Sequence, residues 1–288
     1  MSPVQRVRLD LAYDGTDFTG WARQPGLRTV QGELENALAT VFRRAEAPPR
    51  VTVAGRTDVG VHAIGQVAHV DLDVGLLAAK GGPGRLGRRL NGILGPTSDL
   101  RVSHVTLAPE GFDARFSALW RSYEYRIADA RAEQDPRRRD HTLWYPAPLD
   151  ETAMEEAARS LTGLHDFAAF CRPREGATTI RTLQDFSWTR DDHGVLLGAV
   201  RADAFCHSMV RALVGACVAV GEKKFAATRA SELREQRTRT SEFKVMPARG
   251  LTLIEVGYPP DAELAARAEQ TRARRELAAE LTEDAGID

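Results

Sequence analysis

The feature that most constrains the fold is a strict alternation of apolar and charged residues near the start of the chain. In RVRLDLAY, residues 6–13, every second side chain is apolar and the residues between them are mainly charged. Successive side chains of a strand point to opposite faces, so this segment predicts a strand with one face in the core and the other toward water. The segment LTLIEVGY, residues 251–258, predicts another strand near the opposite end of the chain.

Helices are predicted between these strands, but without a regular alternation of one strand and one helix. One helix is predicted to begin after Thr29 and another after Asp150, since both residues are good N-caps followed by apolar residues at helical spacing. A third, mostly apolar helix over residues 207–220 is predicted to be buried. The residues alone therefore predict mixed α and β structure with strands at both ends, and not a doubly wound sheet.

Length and composition exclude several classes of protein. A chain of 288 residues can form one large domain or two smaller ones, and 43% hydrophobic and 27% charged residues are ordinary for a globular enzyme. No apolar run approaches the roughly 20 residues that a membrane span needs, and the N-terminus has no apolar stretch of signal-peptide type. We therefore expect a cytoplasmic protein with no membrane partner. Cys171, Cys206 and Cys217 lack CxxC spacing, so we expect reduced thiols in the core.

The charge of the chain is unevenly distributed. A net charge of -1 does not by itself indicate a nucleic-acid partner, because domains that bind nucleic acids are commonly basic. Arginines are nevertheless concentrated in GRLGRRLNG, residues 84–92, and at residues 137–139. Either cluster could follow a phosphate backbone, but charged surface runs are common, so a solvated loop is the favoured interpretation of each cluster by itself.

The segment AGRTDVGVHAIGQVAHV, residues 54–70, places Arg56 and Asp58 in a glycine-flanked bend between apolar runs. Aspartate is a common turn residue that bonds its own backbone, so a structural role is one interpretation. A catalytic role is the other, because a carboxylate can act as a nucleophile or as a general base. His62, in the same segment, is predicted to be a positioning or core residue and not a metal ligand, since a metal site needs several ligands together.

This segment resembles the catalytic segment of the TruA family of tRNA pseudouridine synthases, in which the aspartate of GRTD-x-GVH is catalytic. The resemblance runs in the family's order through nearly the whole chain, up to about Tyr258. It includes the segments AYDGTDFTGW, GFDARFSALWRSYEYRI, LTGLHDFAAF, ADAFCHSMVRALVG and GLTLIEV. The sequence departs from the family in LNGILGP, where a glycine stands in place of the expected LP or PP, and in the charged tail after Pro259.

The resemblance implies catalytic roles for three residues. Asp58 is the implied catalyst, and Arg211 is the cation that keeps its carboxylate ionised in a pocket that excludes water. From its helix alone, Arg211 could instead pair with another acid or reach the surface. Tyr123 is implied to stack on the extruded base and to assist proton transfer. We expect Tyr125, two residues further on the same face, to be structural.

Further residues are implied to bind the substrate. Leu251 would cover the side of the base opposite the tyrosine, although a core position explains any leucine in a strand. Arg56 would fill the space left by the extruded base and hold a phosphate, and Arg115 would contact the RNA backbone. No metal and no cofactor are expected, because an isomerisation gains and loses no atom and the sequence has no dinucleotide fingerprint or P-loop.

The resemblance also implies the fold, the domains and the partners. We expect an α+β pseudouridine synthase fold, in which two related α/β halves share a mostly antiparallel central sheet with an active-site cleft between them. The N-terminal half with the catalytic loop would be residues 1–108, the C-terminal half 109–258, and a charged helical tail 259–288. The implied substrate is a uridine at positions 38–40 in the anticodon arm of tRNA, bound by a homodimer that reads RNA shape.

Two other functions stay open from the residues alone. A binding module would grip tRNA without chemistry, and replacement of Asp58 would distinguish it from an enzyme. A glycosidase that uses paired carboxylates would need a second acid near Asp58 to protonate the leaving base. The segment supplies an arginine and a histidine instead.

Overall fold

The computed structural model of the chain describes residues 3–172 and 178–283. The chain divides into two compact units, and each unit is made from two separate parts of the sequence. The first unit takes Met1–Leu119 and Ile254–Ala273, and the second takes Trp120–Leu253 and the residues after Ala273. The expected boundaries at residues 108 and 258 give each half one continuous segment, whereas each unit of the structure combines two segments.

Strands and helices are mixed in both units. Those up to residue 119 are, in chain order, β1 (Val4–Tyr13), α1 (Val30–Val41), β2 (Val51–Val53), β3 (His62–Asp73), α2 (Val74–Ala79), α3 (Gly82–Leu94) and β4 (Leu100–Leu107). Those of the second unit are β5 (Trp120–Ala128), β6 (Leu143–Trp144), α4 (Glu151–Ser160), β7 (Gly163–Asp166), β8 (Ile180–Arg190), β9 (Leu196–Ala202), α5 (Met209–Gly221) and α6 (Arg229–Glu235). The last two elements are β10 (Leu251–Gly257) and α7 (Leu264–Glu283).

The first unit is organised around β1, which pairs antiparallel with both β3 and β4. β2 pairs antiparallel with β3. The predicted alternation in β1 is confirmed, because Val7, Leu9 and Leu11 are buried and the residues between them are partly exposed. Among the latter, the Arg8 guanidinium lies 5.2 Å from the ring centre of Tyr258, within cation–π distance.

A buried carboxylate joins α1 to the neighbouring strand. As predicted, Thr29 caps the helix, and its hydroxyl oxygen accepts a hydrogen bond from the Gly32 N–H at 3.2 Å. Glu35 is buried on this helix and accepts hydrogen bonds from the Arg50 guanidinium at 2.7 Å and from the Val51 N–H at 3.2 Å. Because a buried carboxylate must be satisfied, these bonds fix the start of β2 and hence of the loop that follows it.

In the second unit, β5, β9, β8 and β7 lie side by side in that order, each antiparallel to the next. The short β6 pairs with β5 in parallel. Asp150 caps α4 as predicted, because its carboxylate accepts a hydrogen bond from the Ala153 N–H at 3.2 Å. Helices combined with mainly antiparallel strands in both units confirm the α+β class.

The expectation of three reduced thiols is wrong for two of them. Cys171 and Cys206 form a disulfide, with Cα atoms 5.7 Å apart, and Cys217 is a free thiol. The two half-cystines are 35 residues apart in sequence, and they meet because the turn after β7 lies beside the segment that leads into α5. A disulfide requires the two Cα atoms to lie close together, and the sequence spacing of Cys171 and Cys206 does not show that they do. Burial raises the pKa of the Cys217 thiol to about 12, so its sulfur stays protonated.

The helix predicted for the tail is present as α7, and its first turns pack on the first unit. Leu264 and Ala268 are buried, and the carbonyl of Leu264 accepts a hydrogen bond from the Ser117 hydroxyl at 3.1 Å. Arg272 donates to the carboxylate of Asp113 at 2.9 Å. Across the described ranges, no helix combines the length and the apolar character that crossing a bilayer requires.

Candidate active site

The loop between β2 and β3, residues 54–61, carries the predicted catalytic aspartate. Thr57 is buried, Asp58 is half-buried and Arg56 is exposed. The loop ends in a turn, because the N–H of Val61 donates to the Asp58 carbonyl at 3.2 Å. The loop therefore points the threonine side chain inward and leaves the two charged residues partly or fully exposed.

A second loop, residues 14–20, packs against the 54–61 loop through a glycine. A Cβ on Gly20 would lie 3.0 Å from the Thr57 carbonyl, and the φ of this glycine is +77 degrees, which L side chains rarely adopt. The next residue, Trp21, donates its N–H to the same carbonyl at 3.1 Å. The backbone immediately before the aspartate is therefore fixed from this side.

His62, the first residue of β3, is buried and contacts the same second loop. Its Nδ1 accepts a hydrogen bond from the Gly15 N–H at 3.0 Å and lies 3.1 Å from a carboxylate oxygen of Asp14. A Cβ on Gly15 would collide with the Val61 carbonyl, so this close approach requires glycine. The burial and the hydrogen bond agree with the predicted positioning or core role of His62.

Arg211 lies on α5, where it is an exception among apolar residues. Every other residue of this helix is buried, whereas Arg211 is half-buried. Its Nη2 donates to the hydroxyl oxygen of Ser208 at 2.9 Å. Ser208 has a φ of +63 degrees, a left-handed conformation that is uncommon for a residue with a side chain. A strained residue thus directly contacts the guanidinium, as is typical of functional sites.

The two tyrosines of β5 have different environments. Tyr123 is 8% exposed, and its ring meets that of Phe205 edge-on, with centroids 5.2 Å apart. Tyr125 is completely buried and its hydroxyl donates to the Pro247 carbonyl at 2.7 Å. Burial raises the pKa of Tyr125, although the charge of Arg211 lowers it in part. Tyr125 is therefore structural, as predicted.

The other two predicted substrate contacts lie one in each unit. Leu251 is buried at the start of β10, in the part of that strand that belongs to the second unit. Arg115 is exposed in the first unit, with its N–H bonded to Asp113 at 2.9 Å and its guanidinium 5.3 Å from the ring centre of Phe116.

The predicted residues thus fall into two groups of three. The first unit carries Arg56, Asp58 and Arg115, and the first two of these share one loop. The second unit carries Tyr123, Arg211 and Leu251. The predicted pairing of Asp58 with Arg211 stays a prediction.

The two arginine clusters differ in how far carboxylates neutralise them. On α3, Leu86 and Leu90 are buried while the arginines of residues 85–89 are exposed, so this helix presents a basic face. In the other cluster, Arg137 binds the carboxylate of Asp135 through Nε at 3.0 Å and Nη2 at 2.9 Å. These bonds, the side-chain ones first, lower the pKa of Asp135 to about 2. The α3 face is therefore the better candidate for a phosphate contact.

Sequence reasoning missed three polar residues that contact the predicted catalytic residues or their loop. Ser208 contacts Arg211, and Tyr13 and Gln66 contact the 54–61 loop. A glutamine in an otherwise apolar strand segment was the available signal for Gln66. Tyr13 carries no such signal, since a tyrosine in an alternating strand is ordinarily core.

Comparison with known proteins gives matches over nearly the whole chain. A family model described as tRNA pseudouridine synthase matches residues 157–259. Proteins named tRNA pseudouridine synthase A are similar to this chain over nearly their full length. That of Leifsonia xyli subsp. xyli is 64% identical over 94% of this chain and 98% of its own. That of Frankia casuarinae is 57% identical over 94% of this chain and 95% of its own length. That of Streptomyces avermitilis is 54% identical over 95% of each chain.

Solved structures give a weaker likeness. The archaeal box H/ACA sRNP Nop10-Cbf5 complex aligns with 74% of this chain at 10% identity and a TM-score of 0.31. This chain spans 44% of the length of that one. A likeness at this level carries no argument about the fold or the site.

Proposed function

We propose, from the premise that this chain belongs to the tRNA pseudouridine synthase family, that it isomerises uridine to pseudouridine in tRNA. The observation that carries the proposal is the identity to proteins named tRNA pseudouridine synthase A over nearly the whole of both chains. The 54–61 loop supports it, because hydrogen bonds hold its backbone and Asp58 is only half-buried there.

The reaction rearranges one nucleotide without exchanging atoms with another molecule. The bond from C1′ of the ribose to N1 of uracil breaks, the base turns, and C1′ bonds to C5 instead. The proton on C5 leaves and N1 gains one, so atoms and charges balance. The carboxylate of Asp58 acts in this sequence either as a nucleophile or as a general base at the sugar.

Arg211 and Tyr123 are proposed to act at the same uridine as Asp58. A guanidinium beside a carboxylate keeps it ionised where desolvation would favour the protonated form. The ring of Tyr123 offers a face on which an extruded base can rest, and its hydroxyl can carry a proton. Leu251 is proposed to cover the opposite side of the base.

Extrusion and binding are proposed to depend on exposed arginines. A stacked base must leave its helix before the enzyme can act on it, which costs a few kcal/mol. Arg56 is suited to fill the vacated space, since its guanidinium is planar and cationic. Arg115 and the basic face of α3 would hold phosphates. We propose the uridines at positions 38–40 as substrates, read by RNA shape.

The proposed partners and location follow from the family. We propose a homodimer in which both subunits contact one tRNA, because one near-neutral chain offers little basic surface. The cytoplasm is the proposed location.

The test uses purified protein and unmodified tRNA labelled with tritium at C5 of uridine. Wild-type protein should release tritium and produce carbodiimide-dependent stops at positions 38–40. Asp58→Asn should bind the same tRNA but release tritium more slowly, by a factor on the order of a hundred to ten thousand. Asp192→Asn, which neutralises an exposed carboxylate after β8, is the control and should match wild type.

Each alternative function predicts a different result. If the chain were only a binding module, the wild-type protein itself would bind tRNA and release no tritium. A glycosidase would leave free uracil in the mixture. Full activity of Asp58→Asn would remove this residue from the mechanism.

A further inference from the structure

Three polar side chains contact the 54–61 loop on its buried side. Tyr13, Thr57 and Gln66 are 4%, 7% and 0% exposed. The hydroxyls of Tyr13 and Thr57 are 2.8 Å apart. Nε2 of Gln66 donates to the Tyr13 hydroxyl oxygen at 3.1 Å and to the Gly55 carbonyl at 2.9 Å. A continuous hydrogen-bonded chain therefore runs from one end of the loop to the residue before Asp58.

The chemistry of the groups fixes the direction of these bonds. A carbonyl only accepts, so the amide nitrogen of Gln66 must face Gly55. Its second hydrogen then points to Tyr13, whose hydroxyl oxygen accepts it and has its own proton left to give to Thr57. Burial raises the pKa of Tyr13 to about 12, although the bonds to Thr57 and Gln66 lower it in part, so the hydroxyl keeps its proton.

The network is built by the sheet. Tyr13 ends β1 and Gln66 lies on the paired strand β3, where Leu11 is opposite Gln66 and Tyr13 is opposite Ala63. The register therefore shifts by one residue between Leu11 and Tyr13, as in a β-bulge. Without this shift Tyr13 would be opposite Ile64, an exposed residue. The shift instead places Tyr13 opposite Ala63, which is buried.

The contacts hold the loop at points on both sides of Arg56. Gln66 holds the carbonyl of Gly55, Tyr13 holds the side chain of Thr57, and Trp21 holds the Thr57 carbonyl. Both Tyr13 and Gln66 are buried, so neither is placed to bind RNA directly. An apolar trio would pack in the same space, so the polar groups have a consequence beyond filling the core.

We propose that Tyr13 and Gln66 are positioning residues for pseudouridine formation, which hold the 54–61 loop where the Asp58 carboxylate meets its substrate. This inference rests on the proposed function. Because reacting groups must be placed within a fraction of an ångström, release of the loop slows the chemical step and leaves tRNA affinity nearly unchanged.

The test measures single-turnover pseudouridine formation at saturating enzyme, together with tRNA dissociation constants. Tyr13→Phe, Gln66→Met and Thr57→Val remove one hydrogen-bonding group each and keep the approximate volume. We expect each rate to fall about tenfold to a hundredfold with little change in affinity. Thr57→Ser keeps the hydroxyl and should retain most of the wild-type rate. The double variant Tyr13→Phe/Thr57→Val should be no slower than Tyr13→Phe, because the bond between the two hydroxyls is already lost in Tyr13→Phe.

Tyr258→Phe is the matched control for Tyr13→Phe. It removes another phenolic hydrogen bond of the first unit, from Tyr258 to the Ala114 carbonyl at 2.7 Å, and should lower the melting temperature without lowering the rate. Wild-type rates in Tyr13→Phe and Gln66→Met would overturn this inference, and so would equal rate losses in Thr57→Ser and Thr57→Val. The proposed function fails separately, if wild-type protein makes no pseudouridine.

Discussion

Asp129 and Arg190 form a buried ion pair in the second unit, with Oδ2 2.8 Å from Nη2 and Oδ1 3.1 Å from Nη1. Asp129 has no exposed surface. Its carboxylate also accepts hydrogen bonds from the N–H groups of Leu149 and Arg131, at 2.8 and 3.1 Å. Burial alone would raise the pKa of Asp129, but these bonds, chiefly those of Arg190, hold it below its ordinary value. The pair joins the end of β5 to the end of β8.

Asp129→Asn should destabilise the second unit strongly, because it leaves a partly buried guanidinium without its main counter-charge. Breaking such a pair costs about 3 kcal/mol, near the lower end of the usual range since Arg190 keeps Glu151 at 3.2 Å. Urea unfolding would measure the loss. Glu232→Gln, which alters a surface pair with Arg229, should change the midpoint little. An equal effect of both substitutions would contradict the argument.

The same pair predicts acid sensitivity. A carboxyl whose pKa is lower in the folded state stabilises the protein fully above its unfolded pKa, and this contribution is lost as pH falls through the folded pKa. The folded pKa of Asp129 lies below 3.8, so the loss belongs to strongly acidic conditions. The acid limb of a stability profile should be shallower in Asp129→Asn than in wild type.

His69 predicts a second pH effect, in a milder range. It is buried, and its Nδ1 accepts a hydrogen bond from the Ala114 N–H at 3.0 Å. Burial, followed by the charge of Arg6, lowers the pKa of His69 below 6.5. The unfolded chain therefore binds a proton more readily, and stability falls as pH drops from 6.5 toward the folded pKa. His69→Asn, whose Oδ1 lies about where Nδ1 does and can still accept the bond, should make the melting temperature depend less on pH in this window. An unchanged slope would exclude His69 as its origin.

Ser208 predicts a separation of stability from activity at the Arg211 helix. Ser208→Ala and Ser208→Gly both remove the acceptor that holds Arg211, so both should lower the rate of pseudouridine formation severalfold. Glycine tolerates the left-handed backbone, so Ser208→Gly should be about 1 kcal/mol more stable than Ser208→Ala. Single-turnover rates and melting temperatures check both statements. A fully active glycine variant would show that the contact is not used.

The α3 face predicts a charge-dependent loss of tRNA binding. Replacement of Arg85, Arg88 and Arg89 by glutamine should weaken tRNA binding. The slope of log affinity against log salt concentration should become shallower by about one for each phosphate that the variant no longer binds. The same change at residues 137–139 should have a smaller effect, because Asp135 already neutralises part of that cluster. Filter binding at several salt concentrations distinguishes the two. Equal reductions in affinity would mean that carboxylate pairing does not decide which cluster meets RNA.

Elements with a regular pattern of burial were predictable, and those with an interrupted pattern were not. β1 and α1 follow the periods of a strand and a helix, and each appeared where the sequence predicted it. β8 was not predicted, because its register shifts between Leu183 and Asp185 and buried Leu183 and Phe186 are three residues apart. A bulge of this kind removes the period of two on which strand prediction depends.

The candidate site shows the same limit. Asp58 could be proposed as the catalytic residue because its neighbours in sequence form a specific motif. Other contacts that hold the structure join positions far apart in the sequence: Tyr13 with Thr57, Asp129 with Arg190, and Cys171 with Cys206. No local pattern encodes them, because the sheet and the turns create those distances.

The first unit cannot be completed until late in synthesis, because Ile254–Ala273 belongs to it and Trp120–Leu253 comes first. The carbonyl of Ile254 lies against Gly65 of β3, so this flank of β3 stays uncovered in the nascent chain. At translation rates of ~5–20 residues per second the delay is roughly seven to thirty seconds. During that time an unpaired strand flank can join another chain, so ribosome stalling within the second unit would favour aggregation of the incomplete product.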